Sequence, residues 1–192
     1  MDIVVGSTKI EFIEKKSKFI GYIKGVKTKQ EAIDFIEHIK EKHKDATHNV
    51  PVYRIVENGQ EYFKYDDDGE PQNTAAKPMA DIFERKKIYN FAIVATRYFG
   101  GIKLGAGGLI RNYARVAKEL FEVCKIEEYI EKYTVIINFD YTKQNIVDKI
   151  INDENIEIIE KSYLEKINFK LKLTKKQIKK FENIKNVDII RL

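Results

Sequence analysis

Residues 90–124, NFAIVATRYFGGIKLGAGGLIRNYARVAKELFEVC, constrain this chain more than any other stretch. Phe91 to Phe99 is an almost unbroken apolar and aromatic run, the pattern of a strand buried on both faces. Gly100 to Gly108 holds Gly100, Gly101, Gly105, Gly107 and Gly108, five of the ten glycines in the chain. From Leu109 to Val123 apolar residues return at helical spacing: Ile110, Ala114, Ala117 and Phe121, with Leu109, Val116 and Leu120 beside them.

Strand, glycine loop, helix is an arrangement suited to anions. Glycine lets the backbone turn tightly and approach a ligand, and the free N–H groups of a helix's first turn attract negative charge. The side chains agree. Arg97 ends the strand, Lys103 sits in the loop, and Arg111 and Arg115 lie one helical turn apart. Only six arginines occur in the chain, and three of them are here, which matters because the arginine fork suits phosphate. The predicted phosphate- or RNA-binding set is Arg97, Tyr98, Gly100, Gly101, Lys103, Gly105, Gly107, Gly108, Arg111 and Arg115. The bland alternative keeps the glycines for tight strand–helix packing and the arginines as a solvated face. No standard nucleotide motif fits: the loop lacks the Lys-Ser/Thr ending of a P-loop, and Ile110 stands where a dinucleotide fingerprint wants a small residue.

The chain has 192 residues, 43% apolar, enough for one large or two small domains. Its net charge of +5 permits nucleic-acid binding without requiring it. Cys124 is the single cysteine, so no intrachain disulfide forms, and its place on the apolar helix side predicts a buried thiol. With no signal-peptide pattern at the start and no long apolar run, the expected setting is soluble and cytoplasmic, away from membranes. No cofactor, metal site or catalytic residue is assigned.

Lys9 to Ile13 and Phe19 to Lys24 read as strands joined by a polar turn at Glu14 to Ser17. Thr28 and Glu31 mark a helix start, and His38 and His43 are expected on its surface. Asp45 to Ile55 alternates, with His48, Val50, Val52 and Arg54 on one face. Pro51 there predicts an edge or bulged strand, and His48 and Arg54 are candidates for a shared site. Asp66 to Pro78 is acidic at first. It suits either a Mg²⁺–phosphate site or, the favoured choice, a solvated loop leading to a helix capped by Asn73 or Thr74. Lys125 to Tyr129 reads as a charged linker. The remainder follows the order β-α-β-β-α-β, the split unit of a ferredoxin-like sandwich, with Thr142 and Thr174 as expected caps. The expected domains are residues 1–126 and 130–192, in an α+β chain.

TRYFGGIKLGAGGLIR, residues 96–111, closely resembles the signature of the IMPACT/YigZ family. Asp68-Gly-Glu-Pro71, followed by Thr74, Ala75 and Pro78, resembles a second family element, in which Asn73 and Ala76 replace two glycines. Lys16 to Ile20, and His48 followed by Tyr53 and Arg54, are similar to two further elements. The resemblance implies an N-terminal domain of the left-handed βαβ kind found in a ribosomal protein. It also implies a ferredoxin-like second domain similar to those closing translocating elongation factors. It adds His48, Arg54, Asp68, Glu70 and Thr74 as accessory site residues. It leaves open whether Asn73 and Ala76 impair the site, because alanine takes left-handed backbone angles only at a cost. Eukaryotic relatives regulate translation through an added domain expected to be absent here.

Three functions compete. The leading one is a translation-associated regulator that binds RNA or the ribosome through the glycine-rich anion site. A protein-binding adaptor is the second. The third is a small-molecule enzyme, since the implied fold is shared with metabolite kinases and Leu104 to Leu109 faintly resembles their glycine loop. No convincing catalytic base supports it.

Overall fold

In the computed structural model, which describes residues 1–57 and 59–191, the chain divides into one unit over Met1–Tyr129 and a second beginning at Ile130. The first unit runs β1 (Asp2–Val5), β2 (Ser7–Glu14), β3 (Ser17–Gly25), α1 (Lys29–Lys42), β4 (His48–Glu57), β5 (Gln60–Tyr65), α2 (Ala76–Arg85), β6 (Ile88–Tyr89), β7 (Phe91–Tyr98), α3 (Gly105–Val123) and β8 (Lys125–Glu128). The apolar run becomes β7, the middle strand of a five-stranded sheet ordered β2-β3-β7-β4-β5. Its neighbours are antiparallel, so its unbroken apolar character comes from cover on both faces and not from parallel pairing. Phe91, Ile93 and Ala95 face one way, packing with Phe83 of α2 and Tyr113, Val116 and Leu120 of α3. Val94 and Tyr98 face the other way, against Phe35, Ile36 and Ile39 of α1.

Lys15 and Lys16, both at positive φ, make the two-residue turn between β2 and β3, the backbone geometry tight hairpins favour. Thr28 caps α1 by accepting from the Glu31 N–H. Pro51 does not mark an edge. β4 lies between β7 and β5, and the polar side of Pro51 points toward β5 just where that strand ends. Its carbonyl accepts from Asp66 N, so the missing N–H removes only the outermost rung. The charged segment 125–129 is not a free linker: Lys125–Glu128 pairs antiparallel with β1, which also pairs parallel with β6. Cys124, just before it, is half-buried rather than buried, and burial raises its thiol pKa.

The second unit contains β9 (Tyr133–Phe139), α4 (Gln144–Asp153), β10 (Glu157–Tyr163), β11 (Ile167–Leu173), α5 (Lys175–Glu182) and β12 (Val187–Arg191). Its sheet order, β10-β11-β9-β12 with antiparallel neighbours, is that of the ferredoxin-like split unit. Alternate residues Val135, Ile137 and Phe139 with Ile167, Phe169, Leu171 and Leu173 bury one face against Val147, Ile151, Ile178 and Phe181 of the helices. Thr174 forms a full capping box with Gln177. Thr142 is no cap: it falls inside a short 3₁₀ turn leading into α4. The protein is therefore a two-domain α+β chain.

Candidate anion-binding cleft

β7 has a two-residue period, so Arg97 must point to the α2/α3 face and Tyr98 to the α1 face. Arg97 is paired across the sheet with His48 on β4 and Phe19 on β3. It meets Glu70, whose Oε1 accepts from Arg97 Nη1 at 2.8 Å and from the Tyr113 hydroxyl at 2.7 Å. Both charged side chains are buried, 7% exposed for Arg97 and 2% for Glu70. A charge pair this deep persists only when paired and hydrogen-bonded. Burial, then the Glu70 charge, raises the Tyr113 phenol pKa far above its usual value, so the hydroxyl stays a donor.

The acidic loop serves the backbone. Asp67 accepts from the N–H groups of Asn73, Ala75 and Ala76, and so caps α2 from outside the helix. Neither Asn73 nor Thr74 does this. Asn73 takes a left-handed φ of 61° and its N–H is one of those held by Asp67, while the Thr74 hydroxyl donates to Pro71 O. Ala76 is the first helical residue of α2, buried and without positive φ, so this backbone asks for no glycine there. Asp68 accepts from Asn49 N and pairs with Lys40 at 2.6 Å. Its own carbonyl accepts from His48 Nδ1 at 2.8 Å. Among the described residues no His, Cys, Asp and Glu group is arranged to hold a metal.

A cleft of about 320 Å³ opens beside this network, lined by Thr47, His48, Glu70, Pro71, Arg97, Phe99, Lys103, Leu104, Gly105, Ala106 and Leu109. No side chain caps the N-terminus of α3, whose first residues, Gly105 and Ala106, line the cleft. Arg97 Nε is buried without a hydrogen-bond partner. Phe99 is 45% exposed at this cleft, with the Arg97 guanidinium 5.5 Å from its ring centre. Gly100 fixes the loop. Its N–H donates to the buried Ser17 hydroxyl, and a Cβ there would sit 1.9 Å from Lys16 O, so only glycine fits.

The predicted set is thus only partly gathered. His48, Glu70, Arg97, Lys103 and Gly105 line the cleft. Gly100 and Gly101 shape the loop, and Gly107 lies exposed in the first turn of α3, where an added Cβ would come 3.6 Å from Arg111 Nη1. Gly108 is buried against Leu104. Arg115 pairs with Glu119 and lies over the Phe12 ring, toward β2. Tyr98 bonds His43 and Asp45 on the opposite face. Arg54 shares the His48 face but lies six residues, about 20 Å, further along β4; there it pairs with Glu61 and stacks on Tyr89. Asp68 and Thr74 support the loop behind the cleft. His43, expected on the surface, is buried between Tyr22 and Tyr98. Tyr113 and Asp67 escaped sequence reasoning. Tyr113 offered one signal: a tyrosine on an apolar helix stripe must find an acceptor for its hydroxyl.

Comparisons with known proteins add identity to this geometry. Residues 15–121 match the model of the Impact N-terminal domain. The protein called IMPACT family member YvyE in Bacillus subtilis (strain 168) is 36% identical over 171 residues, covering 89% of this chain and 78% of that protein. An IMPACT family member of Haemophilus influenzae is 28% identical over 172 residues, covering 88% of this chain and 82% of its own. The crystal structure of a hypothetical protein matches with a TM-score of 0.70 at 20% identity, over 100% of this chain and 96% of the other, a likeness of fold alone. The matched residues contain four of the five strands of the sheet, the acidic loop and the cleft, and this chain belongs to the IMPACT family.

Proposed function

We propose that this chain is a translation-associated RNA-binding protein and that the cleft holds one nucleotide of a single-stranded segment. One observation carries the reading: an uncapped helix N-terminus, Lys103 and a nearly buried Arg97 line the same cleft as an exposed aromatic ring, Phe99. Helix N–H groups and cations suit a phosphate, and an exposed ring beside a guanidinium suits a stacked base. The translational setting rests on the family resemblance of residues 96–111. The adaptor alternative keeps one observation of its own, a groove of about 450 Å³ between α2 and α3 with Ile110 and Ala114 in its wall and Lys77, Arg85 and Lys118 around it.

Ribosome co-sedimentation at low and high salt tests the proposal. The variant for comparison is Lys103→Glu, at the cleft, which spares the buried Arg97–Glu70 pair. Salt-sensitive sedimentation that the variant loses is the expected result. No sedimentation of either protein at any salt overturns the ribosomal form of the proposal. Capture of partners that nuclease treatment leaves unchanged would favour the adaptor.

A further inference from the structure

The cleft contains two polar atoms that face each other without a hydrogen bond between them. His48 Nδ1 lies 2.8 Å from the Asp68 carbonyl, which only accepts, so Nδ1 carries the proton. That leaves Nε2 as the ring's free nitrogen, a lone pair whenever the ring is neutral. It faces Glu70 Oε2 at 3.7 Å, too long for a hydrogen bond. Both hydrogen bonds to Glu70 fall on Oε1, so Oε2 is without one although the side chain is nearly buried. Neither atom is sealed from the cleft, so both can be reached from outside. The pair is therefore poised for a group from outside.

The chemistry of that group is narrow. A phosphate oxygen only accepts and would meet the Glu70 carboxylate. An ammonium only donates and would meet Arg97 and Lys103. A hydroxyl does both: beside a charged ring it accepts from Nε2–H while donating to Oε2, and beside a neutral ring its one proton goes to either Oε2 or Nε2. Lys103 and the first residues of α3 line the same cleft as this pair, while Arg97 is already bonded to Glu70 Oε1. A sugar hydroxyl and a phosphate on one ligand match that lining. We infer that His48 and Glu70 read the ribose 2′-hydroxyl, so that the cleft selects RNA over DNA. The inference rests on the RNA-binding reading above.

Fluorescence anisotropy of the full chain with end-labelled single strands of one sequence tests it, using RNA, DNA and 2′-O-methyl RNA. The methylated strand keeps the ribose but loses the donor. The expected result is RNA tighter than both others by roughly tenfold, the scale of one hydrogen bond to a charged group. His48→Phe is expected to bind RNA and DNA alike. Should that variant fail to melt cooperatively, His48→Leu replaces it under the same criterion. Equal wild-type affinity for RNA and DNA, or for RNA and its methylated form, overturns the inference and leaves RNA binding standing. Discrimination retained in a folded His48 variant also overturns it. No binding to any strand overturns both.

Discussion

His43 and His48 lie five residues apart in sequence and on opposite faces of one sheet, and their surroundings differ in one respect. The His43 network is closed. Tyr98 donates to Asp45, so it accepts from His43 Nδ1–H; Nε2 in turn accepts from the Tyr22 hydroxyl at 2.7 Å. Every ring nitrogen is used, and Asn49 Nδ2 holds the His43 carbonyl as well. The His48 network has the same tautomer and is open. Its Nε2 and the facing Glu70 oxygen have no hydrogen bond, and Arg97 Nε beside them is unpartnered. Closed networks fix a fold. Open ones, held by a closed frame, are where a ligand completes the set.

The largest effect expected of breaking either network is on the open side. Glu70→Ala leaves the Arg97 guanidinium buried without its carboxylate and Tyr113 without its acceptor, a predicted loss of about 3–5 kcal/mol in urea denaturation. A loss below about 1 kcal/mol would mean that the pair is solvated and the frame around the cleft is not closed. On the other face, Tyr22→Phe removes one donor from His43 Nε2 and is expected to cost about 1–3 kcal/mol. Equal losses from the two substitutions would erase the distinction drawn between a buried charge pair and a neutral chain.

How much of this was legible depended on whether the cause is local. The run Phe91 to Val123 spelled out strand, loop and helix because hydrophobic period and glycine content act within a few residues. The alternation in Asp45 to Ile55 likewise placed His48 and Arg54 on one face. The same six-residue spacing, at a strand's rise per residue, already puts them about 20 Å apart, which same-face alternation alone ignores. Adjacency groups Tyr98 with Arg97, and the same alternation sends it to the far side. Asp67 caps a helix that begins nine residues later, beyond any spacing rule for caps. β1 and β8 exist because they pair with each other across most of the first unit, and neither four-residue segment carries a pattern of its own. His43 follows the last helical residue of α1, and only the fold brings two tyrosines to it.

The closed network also predicts a pH response. Burial, then the Lys42 charge, lowers the His43 pKa, with Asp45 opposing and Lys18 and Lys9 adding slightly. The folded state thus binds this proton less readily than the unfolded chain does. The resulting stability is complete above the usual histidine value of about 6.5 and is lost as pH falls through the lower folded value. Urea midpoints at about pH 7.5 and about pH 5.5 should fall less in His43→Phe than in wild type, while carboxylates titrate alike in both. Equal falls would show that His43 does not resist protonation.

The smallest expected effect on folding is the sharpest test of the open side. Lys103 is exposed in the loop, at the cleft but outside both networks. Lys103→Gln should change stability by no more than about 0.5 kcal/mol, as surface substitutions do. If a phosphate sits at the start of α3, the same change removes one cation from it. The slope of log affinity against log salt for single-stranded RNA should then become shallower by about 0.7, with weaker binding at low salt. An unchanged slope would place the phosphate elsewhere, and the open network would then have to be completed by a ligand without one.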